Sequence, residues 1–221
     1  MNIVCLSFDD GTVYDIRFIE LLNKYGLPAT LNLNSELKDF VWYYGERPIK
    51  RLDLAAAKEV YRGHEVASHS LTHPYFSSLT KSEAVRQVKD DMERLESIFG
   101  YKIEGFAFPF HDQTEDNIQT VKECANPSYI RYSYLDYSGQ HKDRYHIHIN
   151  ALYDDGEIYQ RLEEFSKNEN GDSLFVIAGH SYEFEMKGDW DKIERLLDYL
   201  NKNERITVMT MRDAVKVLFD N

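Results

Sequence analysis

Short apolar runs alternate along the chain with longer stretches in which apolar residues recur every three to four positions. The short runs predict β-strands and the longer stretches predict amphipathic helices. The predicted strands are 3–8, 28–34, 65–68, 105–109, 129–132, 145–150, 174–178 and 206–209. The predicted helices are 13–25, 54–62, 81–99, 116–124, 157–167, 190–201 and 211–218. This alternation is typical of parallel strands joined by crossover helices, and eight strands fit an α/β barrel.

Two segments, 37–50 and 133–144, show neither pattern and are rich in aromatic and charged residues. They are either rim loops that carry substrate contacts or simple connections. In a barrel of parallel strands the active site lies at the carboxyl ends of the strands. The residues that follow predicted strands are therefore the first candidates for chemistry.

Length and charge narrow the class of protein. The 221 residues suit one large domain, 1–221, with a substantial core. The 26 Lys and Arg against 38 Asp and Glu give a net charge of −12, which argues against a nucleic-acid or anionic-membrane partner and favours neutral or cationic substrates. The two cysteines, Cys5 and Cys124, are interpreted as packing thiols, with no disulfide or thiolate metal site.

The amino terminus lacks a basic region followed by an apolar stretch and a cleavage site. No apolar segment is long enough to span a bilayer. We therefore expect a cytoplasmic protein without a membrane partner; the sequence makes no prediction of its oligomeric state.

Two motifs carry the candidate chemistry. Residues 7–11, Ser-Phe-Asp-Asp-Gly, follow the first predicted strand with two adjacent carboxylates, and His69 and His73 follow the third in a His-x-x-x-His spacing. Two imidazoles and one carboxylate would form a three-ligand set with positions open to water, as in a catalytic metal site. Zinc is the first expectation, with cobalt, nickel or manganese as alternatives. Each motif alone also fits ordinary turn chemistry or a pair of packed histidines.

With these residues in view, the chain resembles the polysaccharide deacetylase family, also called NodB-homology or carbohydrate esterase family 4. Four segments match the family's motifs in order: 7–11 the first, 69–73 the second, 106–110 (Phe-Ala-Phe-Pro-Phe) the third and 174–180 the fifth. The resemblance spans nearly the whole chain. It implies a single-domain, distorted (β/α) barrel of seven or eight parallel strands.

The resemblance also implies roles for individual residues. It assigns Asp9 as the catalytic base and His180 as the general acid, with Asp10, His69 and His73 as metal ligands. The third motif implies a groove wall at Phe108, Pro109 and Phe110, with a backbone N–H near Phe110 for the oxyanion. Tyr182, which follows His180 in sequence, is either a sugar-stacking platform or apolar covering of the barrel end.

The sequence departs from the family pattern at two places. The third motif commonly carries an arginine that braces the catalytic aspartate, and Ala107 stands at that position. Arg131, which leaves a predicted strand, is the candidate replacement. The fourth motif has no match, since residues 133–151 contain no tryptophan.

The leading hypothesis is a metal-dependent hydrolase that removes N-acetyl groups from an amino-sugar-containing oligo- or polysaccharide and releases acetate. One alternative keeps the metal and changes the substrate, to a small non-sugar amide or a sugar O-acetyl ester. Another is a non-catalytic carbohydrate-binding barrel, whose mark would be loss of Asp9, a metal histidine or His180. The sequence retains all of these residues.

Overall fold

The fold is described from a computed structural model that covers residues 1–137, 141–169 and 171–220. The strands are β1 (Asn2–Asp9), β2 (Thr30–Leu33), β3 (Val41–Tyr44), β4 (Arg47–Lys50), β5 (Glu65–Ser68), β6 (Gly105–Ala107), β7 (Tyr129–Leu135), β8 (Ile147–Ile149), β9 (Ala151–Leu152), β10 (Ser173–His180) and β11 (Ile206–Met209). The α-helices are α1 (Asp15–Tyr25), α2 (Leu54–Ala57), α3 (Lys81–Phe99), α4 (Glu115–Ala125), α5 (Ile158–Phe165), α6 (Ser181–Lys187), α7 (Trp190–Lys202) and α8 (Met211–Phe219). Two 3₁₀ helices cover Lys58–Tyr61 and Phe76–Ser78.

The main sheet is parallel throughout and curls into a nearly closed barrel. Its strand order is β8-β7-β6-β5-β2-β1-β10-β9, and β11 pairs with β1 outside this path. Helices connect most successive strands of this sheet and cover the outside, so the predicted (β/α) barrel is confirmed. Within the described ranges, no helix combines the length and apolar character needed to cross a bilayer.

Strand β1 is the strand with the most neighbours in the sheet, since it pairs with β2, β10 and β11. All eight of its residues are buried, which matches the continuous apolar run in the sequence. β1 pairs with β10 along its whole length, so that Asp9 lies opposite His180. On its other edge, the end of β1 pairs with β2, which places Asp9 opposite Asn32. The register thus brings polar residues from three strands to one rim.

The structure differs from the predicted elements in several places, and it contains a helix, α6, that the sequence pattern does not predict. Residues predicted as an irregular rim segment contain the antiparallel hairpin of β3 and β4, which turns at Gly45 with a φ of 62°. The predicted helix 54–62 divides into α2 and a 3₁₀ turn. The predicted strand 145–150 is interrupted at Asn150, because the chain there crosses from β7 to β10.

Asn150 closes the barrel between two strands that do not pair with each other directly. Its side-chain oxygen accepts a hydrogen bond from the Val176 N–H at 2.8 Å, and its side-chain nitrogen donates to the Asp136 carbonyl at 3.0 Å. Its own N–H donates to the Val176 carbonyl at 2.9 Å. The fully buried amide therefore supplies the ladder contacts that β8 and β9 leave open.

We predict that Asn150→Ala destabilises the protein by about 2–4 kcal/mol, because the buried Val176 N–H and the half-buried Asp136 carbonyl each lose the Asn150 side chain as a partner, at roughly 1–3 kcal/mol each. Urea unfolding followed by circular dichroism measures the change. The matched control is Asn201→Ala on the exposed face of α7, which should stay within about 0.5 kcal/mol of the parent. Equal effects of the two substitutions would show that Asn150 does not close the barrel.

Candidate metal and catalytic site

One pocket of about 640 Å³ opens at the carboxyl rim of the barrel. Asp9 and Asp10 reach it from the end of β1, His180 from the end of β10, and His69 and His73 from the loop after β5. Carboxyl ends of neighbouring parallel strands meet at one rim, which is why motifs 60 to 170 residues apart in sequence converge there. Candidate acids, bases and ligands therefore line the same cavity.

Asp10, His69 and His73 form a cluster suited to one metal ion. One ligand atom from each lies within 4.8 Å of the others. His69 donates from Nδ1 to the Ala107 carbonyl at 2.8 Å, and burial lowers its pKa to about 4, so its Nε2 presents a free lone pair. The buried Oδ1 of Asp10 accepts no well-directed hydrogen bond from the described residues; its nearest cation, Arg51 Nη2, makes an ion-pair contact at 3.1 Å. One carboxylate oxygen and two neutral imidazoles fit a divalent ion of the zinc type.

The backbone around this cluster is held in an uncommon conformation. Asp10, Ser70, His73 and Phe110 all have positive φ, at 90°, 67°, 55° and 56°. Residues other than glycine visit this region rarely and at a cost of about 1–3 kcal/mol each. Four of the five such residues in the described chain lie in or beside the pocket, so surrounding contacts must fix this rim.

Asp9 lies beside the metal cluster and is paired with a buried arginine. Arg131 Nη2 donates to Asp9 Oδ1 at 2.6 Å and to Oδ2 at 2.8 Å, and Asn32 Nδ2 donates to Oδ1 at 2.7 Å. Burial would raise the pKa of Asp9, but the positive charge of Arg131, together with the nearby imidazoles of His69 and His180, lowers the pKa below its ordinary value. The predicted contact between Arg131 and Asp9 is therefore present. Arg131 reaches Asp9 from β7, whereas the arginine of the family pattern would stand at position 107, on β6.

Asp10 has an arginine partner of its own, which sequence reasoning missed. Arg51 Nη2 lies 3.1 Å from Asp10 Oδ1, and both side chains are buried. Burial would raise the pKa of Asp10, but the positive charge of Arg51 and the imidazoles around the pocket together lower it well below its ordinary value. Each carboxylate at the end of β1 thus has a cation beside it.

His180 faces Asp10 on one side and Glu183 on the other. Its Nε2 lies 3.8 Å from Asp10 Oδ2, and its Nδ1 donates to Glu183 Oε2 at 3.2 Å. Burial would lower the pKa of His180, but the bond to Glu183 and the charges of Asp10 and Asp9 raise it to about 9. The imidazole is therefore protonated at neutral pH and oriented by a carboxylate three residues further along the chain.

Aromatic rings border the pocket on two sides. On one side Phe110 stacks on Tyr75, with ring centroids 3.9 Å apart and planes 7° apart. On the other side Trp42, from the β3–β4 hairpin, meets the edge of Tyr182 at 5.4 Å and stacks on Phe40 at 6.3 Å. Phe40 and Tyr75 are more than half exposed, so apolar ring faces remain open to solvent.

The structure places most, but not all, of the predicted substrate-binding residues in this pocket. Phe110 and Tyr182 line it. Phe108 does not: its side chain is completely buried and packs against Phe76 at 5.0 Å, and Pro109 is also buried away from the pocket wall. Strand β6 ends at Ala107, so the motif turns and only its last residue faces the cavity.

The sequence of the chain matches one protein family and two characterised proteins. The profile of one family, described as polysaccharide deacetylase, matches residues 1–128. The chain is 34% identical over 103 residues to peptidoglycan-N-acetylmuramic acid deacetylase PdaC of Bacillus subtilis, covering 46% of this chain and 20% of that protein. It is 34% identical over 89 residues to the chitooligosaccharide deacetylase of Sinorhizobium fredii, covering 38% of this chain and 35% of that protein. The chain thus matches about a fifth to a third of the length of these relatives.

Solved structures match over nearly the whole chain. Peptidoglycan deacetylase PdaC from Bacillus subtilis superposes with a TM-score of 0.62 at 17% identity, covering 99% of this chain and 93% of that chain. A family 4 acetyl xylan esterase from Clostridium thermocellum, in complex with a cobalt ion, gives a TM-score of 0.61 at 16% identity, covering 97% and 91%. At these identities the likeness shows the fold alone.

We predict that Arg131→Met, studied with EDTA, lowers the free energy of unfolding by about 3–5 kcal/mol at neutral pH, because Asp9 is left as an unpaired buried charge. Burial then raises the pKa of Asp9 above its unfolded value of about 3.9, so the penalty shrinks as the pH falls through the raised pKa. In the parent protein the pKa of Asp9 is lowered on folding, so the ion pair with Arg131 stabilises the fold above about pH 4, and this stabilisation is lost as the pH falls further. Urea unfolding at pH 7.5 and pH 5 measures both effects.

The double variant Asp9→Asn, Arg131→Met is the control for that experiment. It should recover part of the lost stability, since it leaves no buried charge. A double variant less stable than Arg131→Met alone would contradict an ion pair between Arg131 and Asp9.

Proposed function

Because the chain belongs to the polysaccharide deacetylase family, we propose that it hydrolyses the N-acetyl group of an amino sugar in an oligo- or polysaccharide and releases acetate. The observation that carries the proposal is that Asp9 and His180 lie in the same pocket as the Asp10, His69 and His73 cluster, Asp9 3.8 Å from His69 and His180 3.8 Å from Asp10. The curated relatives are named as deacetylases of peptidoglycan and of chitooligosaccharide, which supports the same substrate class.

The cofactor proposed is one divalent cation held by Asp10, His69 and His73, with zinc first and cobalt, nickel or manganese as alternatives. Such a cation would supply the Lewis-acid chemistry that polarises an acetyl carbonyl and acidifies water. The three donors leave coordination positions free for this chemistry, unlike a closed structural site.

Asp9 is the proposed proton acceptor. Arg131 and Asn32 hold its carboxylate ionised and fixed in orientation. The same contacts make it a weak base, so it accepts a proton only from an acidified water at the moment of attack on the carbonyl. The Arg131 contact thus restricts Asp9 to this one step.

His180 is the proposed proton donor to the departing amine. An amine leaves poorly unless it is protonated, and Glu183 keeps the imidazole charged at neutral pH. Because Nδ1 is engaged by Glu183, the proton that faces the pocket is the one on Nε2. The proton acceptor therefore acts on the attacking water, and the proton donor acts on the leaving nitrogen of the amide.

The aromatic rim favours a sugar over a small amide as the substrate. Trp42 and Tyr182 on one side, and Phe110 stacked on Tyr75 on the other, offer flat apolar faces of the kind that pack against pyranose rings. A small amide would fill the centre of the pocket and leave both rims uncovered. The net charge of −12 is compatible with a neutral or partly deacetylated, cationic glycan.

We predict acetate release from N-acetylated chitooligosaccharides in the presence of zinc or cobalt, with longer oligomers turned over faster than the monosaccharide because they reach both aromatic rims. Asp9→Asn should retain the metal and lose activity by about 10²–10⁴-fold, the usual contribution of a positioned proton-transfer group. Acetate is measured enzymatically, and metal content by elemental analysis.

A panel of small non-sugar amides and O-acetylated xylan serves as the comparison in this assay. Faster release from one of these substrates would replace the amino-sugar assignment. Full turnover by Asp9→Asn would show that Asp9 is not the base.

We predict that Glu183→Gln moves the alkaline limb of the kcat profile to lower pH. His180 acts when protonated, so activity is present below its pKa and is lost as the pH rises through it. Removal of the carboxylate lowers that pKa, since the contact with Glu183 raises it in the parent. Initial rates between pH 6 and pH 10 test the shift.

Glu185→Gln on the same helix is the matched control for this prediction. Glu185 accepts a hydrogen bond from Trp190 Nε1 at 2.8 Å, and within the part of the chain that the structure describes its contacts are with Trp190 and Arg47 and not with His180. An equal shift in both variants would make the effect one of general surface charge, and an unchanged limb in Glu183→Gln would remove His180 as the titrating acid.

A further inference from the structure

Arg51 makes contacts that the proposed chemistry does not use. Its Nη1 donates to the main-chain carbonyl of Asp10 and to Asn34 Oδ1, the latter at 2.7 Å, while Nη2 lies 3.1 Å from the Asp10 carboxylate. The side chain is buried, and its guanidinium lies 4.6 Å from the centre of the Trp42 ring. One fixed guanidinium thus holds both the backbone and the side chain of Asp10.

Asn34 extends these contacts to the second metal-ligand segment. Its Nδ2 donates to the main-chain carbonyls of His69 at 2.5 Å and Ser70 at 2.7 Å. A continuous series of hydrogen bonds therefore runs from Asp10 through Arg51 and Asn34 to His69 and Ser70. Asp10 and Ser70, at its two ends, both have the positive φ that needs external support.

Arg51 is itself fixed in position by the barrel. It directly follows β4 and forms an isolated antiparallel bridge with Thr12. The adjacent Leu52 N–H donates to the Gly11 carbonyl at 2.9 Å, and the Val13 N–H donates to the Lys50 carbonyl at 3.0 Å. The backbone of the residues before and after Arg51 is thus hydrogen-bonded to the loop that carries Asp10.

We propose that Arg51 and Asn34 form a positioning pair that holds the two metal-ligand segments, the end of β1 and the loop after β5, at the separation a divalent cation requires. The proposal rests on the metal site of the proposed function. Arg51 could also affect metal affinity in the opposite way, through electrostatic repulsion between its positive charge and a bound cation. The two effects have opposite signs, because loss of positioning weakens metal binding and loss of repulsion strengthens it.

The test is a zinc titration of the full chain against a chromophoric chelator. The variants are Arg51→Met, Arg51→Lys and Asn34→Ala. Residues that orient metal ligands typically contribute 10–100-fold to affinity, so Arg51→Met and Asn34→Ala should each raise the zinc Kd by about that factor. Arg51→Lys keeps the charge but lacks the planar fork, and should also raise the Kd by at least about tenfold.

Arg47→Gln is the matched control. It removes a cation from the same hairpin, but Arg47 is about half exposed and contacts Glu185 instead of the pocket. Its zinc Kd should equal that of the parent. A change as large as that of Arg51→Met would assign the effect to hairpin charge and overturn the proposal.

A double-mutant cycle tests whether the two residues act as one unit. Arg51→Met combined with Asn34→Ala should bind zinc about as weakly as the weaker single variant, because either change breaks the same series of hydrogen bonds. Fully additive losses would overturn the pairing. Circular dichroism of the metal-free variants checks their folding, and if Arg51→Met does not fold, Arg51→Lys and Asn34→Ala decide the question.

The remaining outcomes separate this proposal from the proposed function. A parent chain that binds no zinc or cobalt would overturn both. A parent that binds zinc, with Arg51→Lys and Asn34→Ala binding equally well, would overturn the positioning role alone. Tighter binding by Arg51→Met would show repulsion as the dominant effect and would also overturn it.

Discussion

The burial of two adjacent carboxylates at the end of β1 is the constraint on which the rest of the rim depends. Asp9 is 7% exposed and Asp10 5%, and an unpaired buried charge costs several kcal/mol. Arg131 reaches Asp9 from β7, and Arg51 reaches Asp10 from the base of the hairpin. Two distant segments must therefore fold against β1 before its end is stable.

The same constraint explains why the barrel must be closed at the site. Arg131 lies on β7, far from β1 in strand order, and reaches Asp9 only across the barrel interior. The segment through Asn150 links β7 to β10 and so fixes the side of the barrel that carries both Arg131 and His180. A slip of one residue between β1 and β10 would turn Asp9 and His180 to opposite faces.

Sequence patterns predicted the barrel and the five polar residues of its rim because both follow from strand ends. They could not predict Arg51 or Asn34, since a lone arginine after an irregular segment and an asparagine ending a strand have many roles. Glu183 had a weak signal in its spacing of three residues from His180. Phe108 was assigned to the pocket wrongly because the alternation of apolar and polar residues does not show that β6 ends at Ala107. The side chains after that residue therefore point in directions that the sequence pattern could not predict. The domain limits and the cytoplasmic location stay predictions.

The β3–β4 hairpin is attached to the barrel at its base, while Tyr43 near its tip is 66% exposed. Its outer residues contribute little to the core, so their length and sequence can change at small cost to stability. The residue that follows the hairpin has no such freedom, because Arg51 contacts Asp10. Under the proposed function, exchanging the outer residues of the hairpin would alter the substrate contacts at the rim without altering the chemistry beneath it, provided that position 51 keeps its arginine.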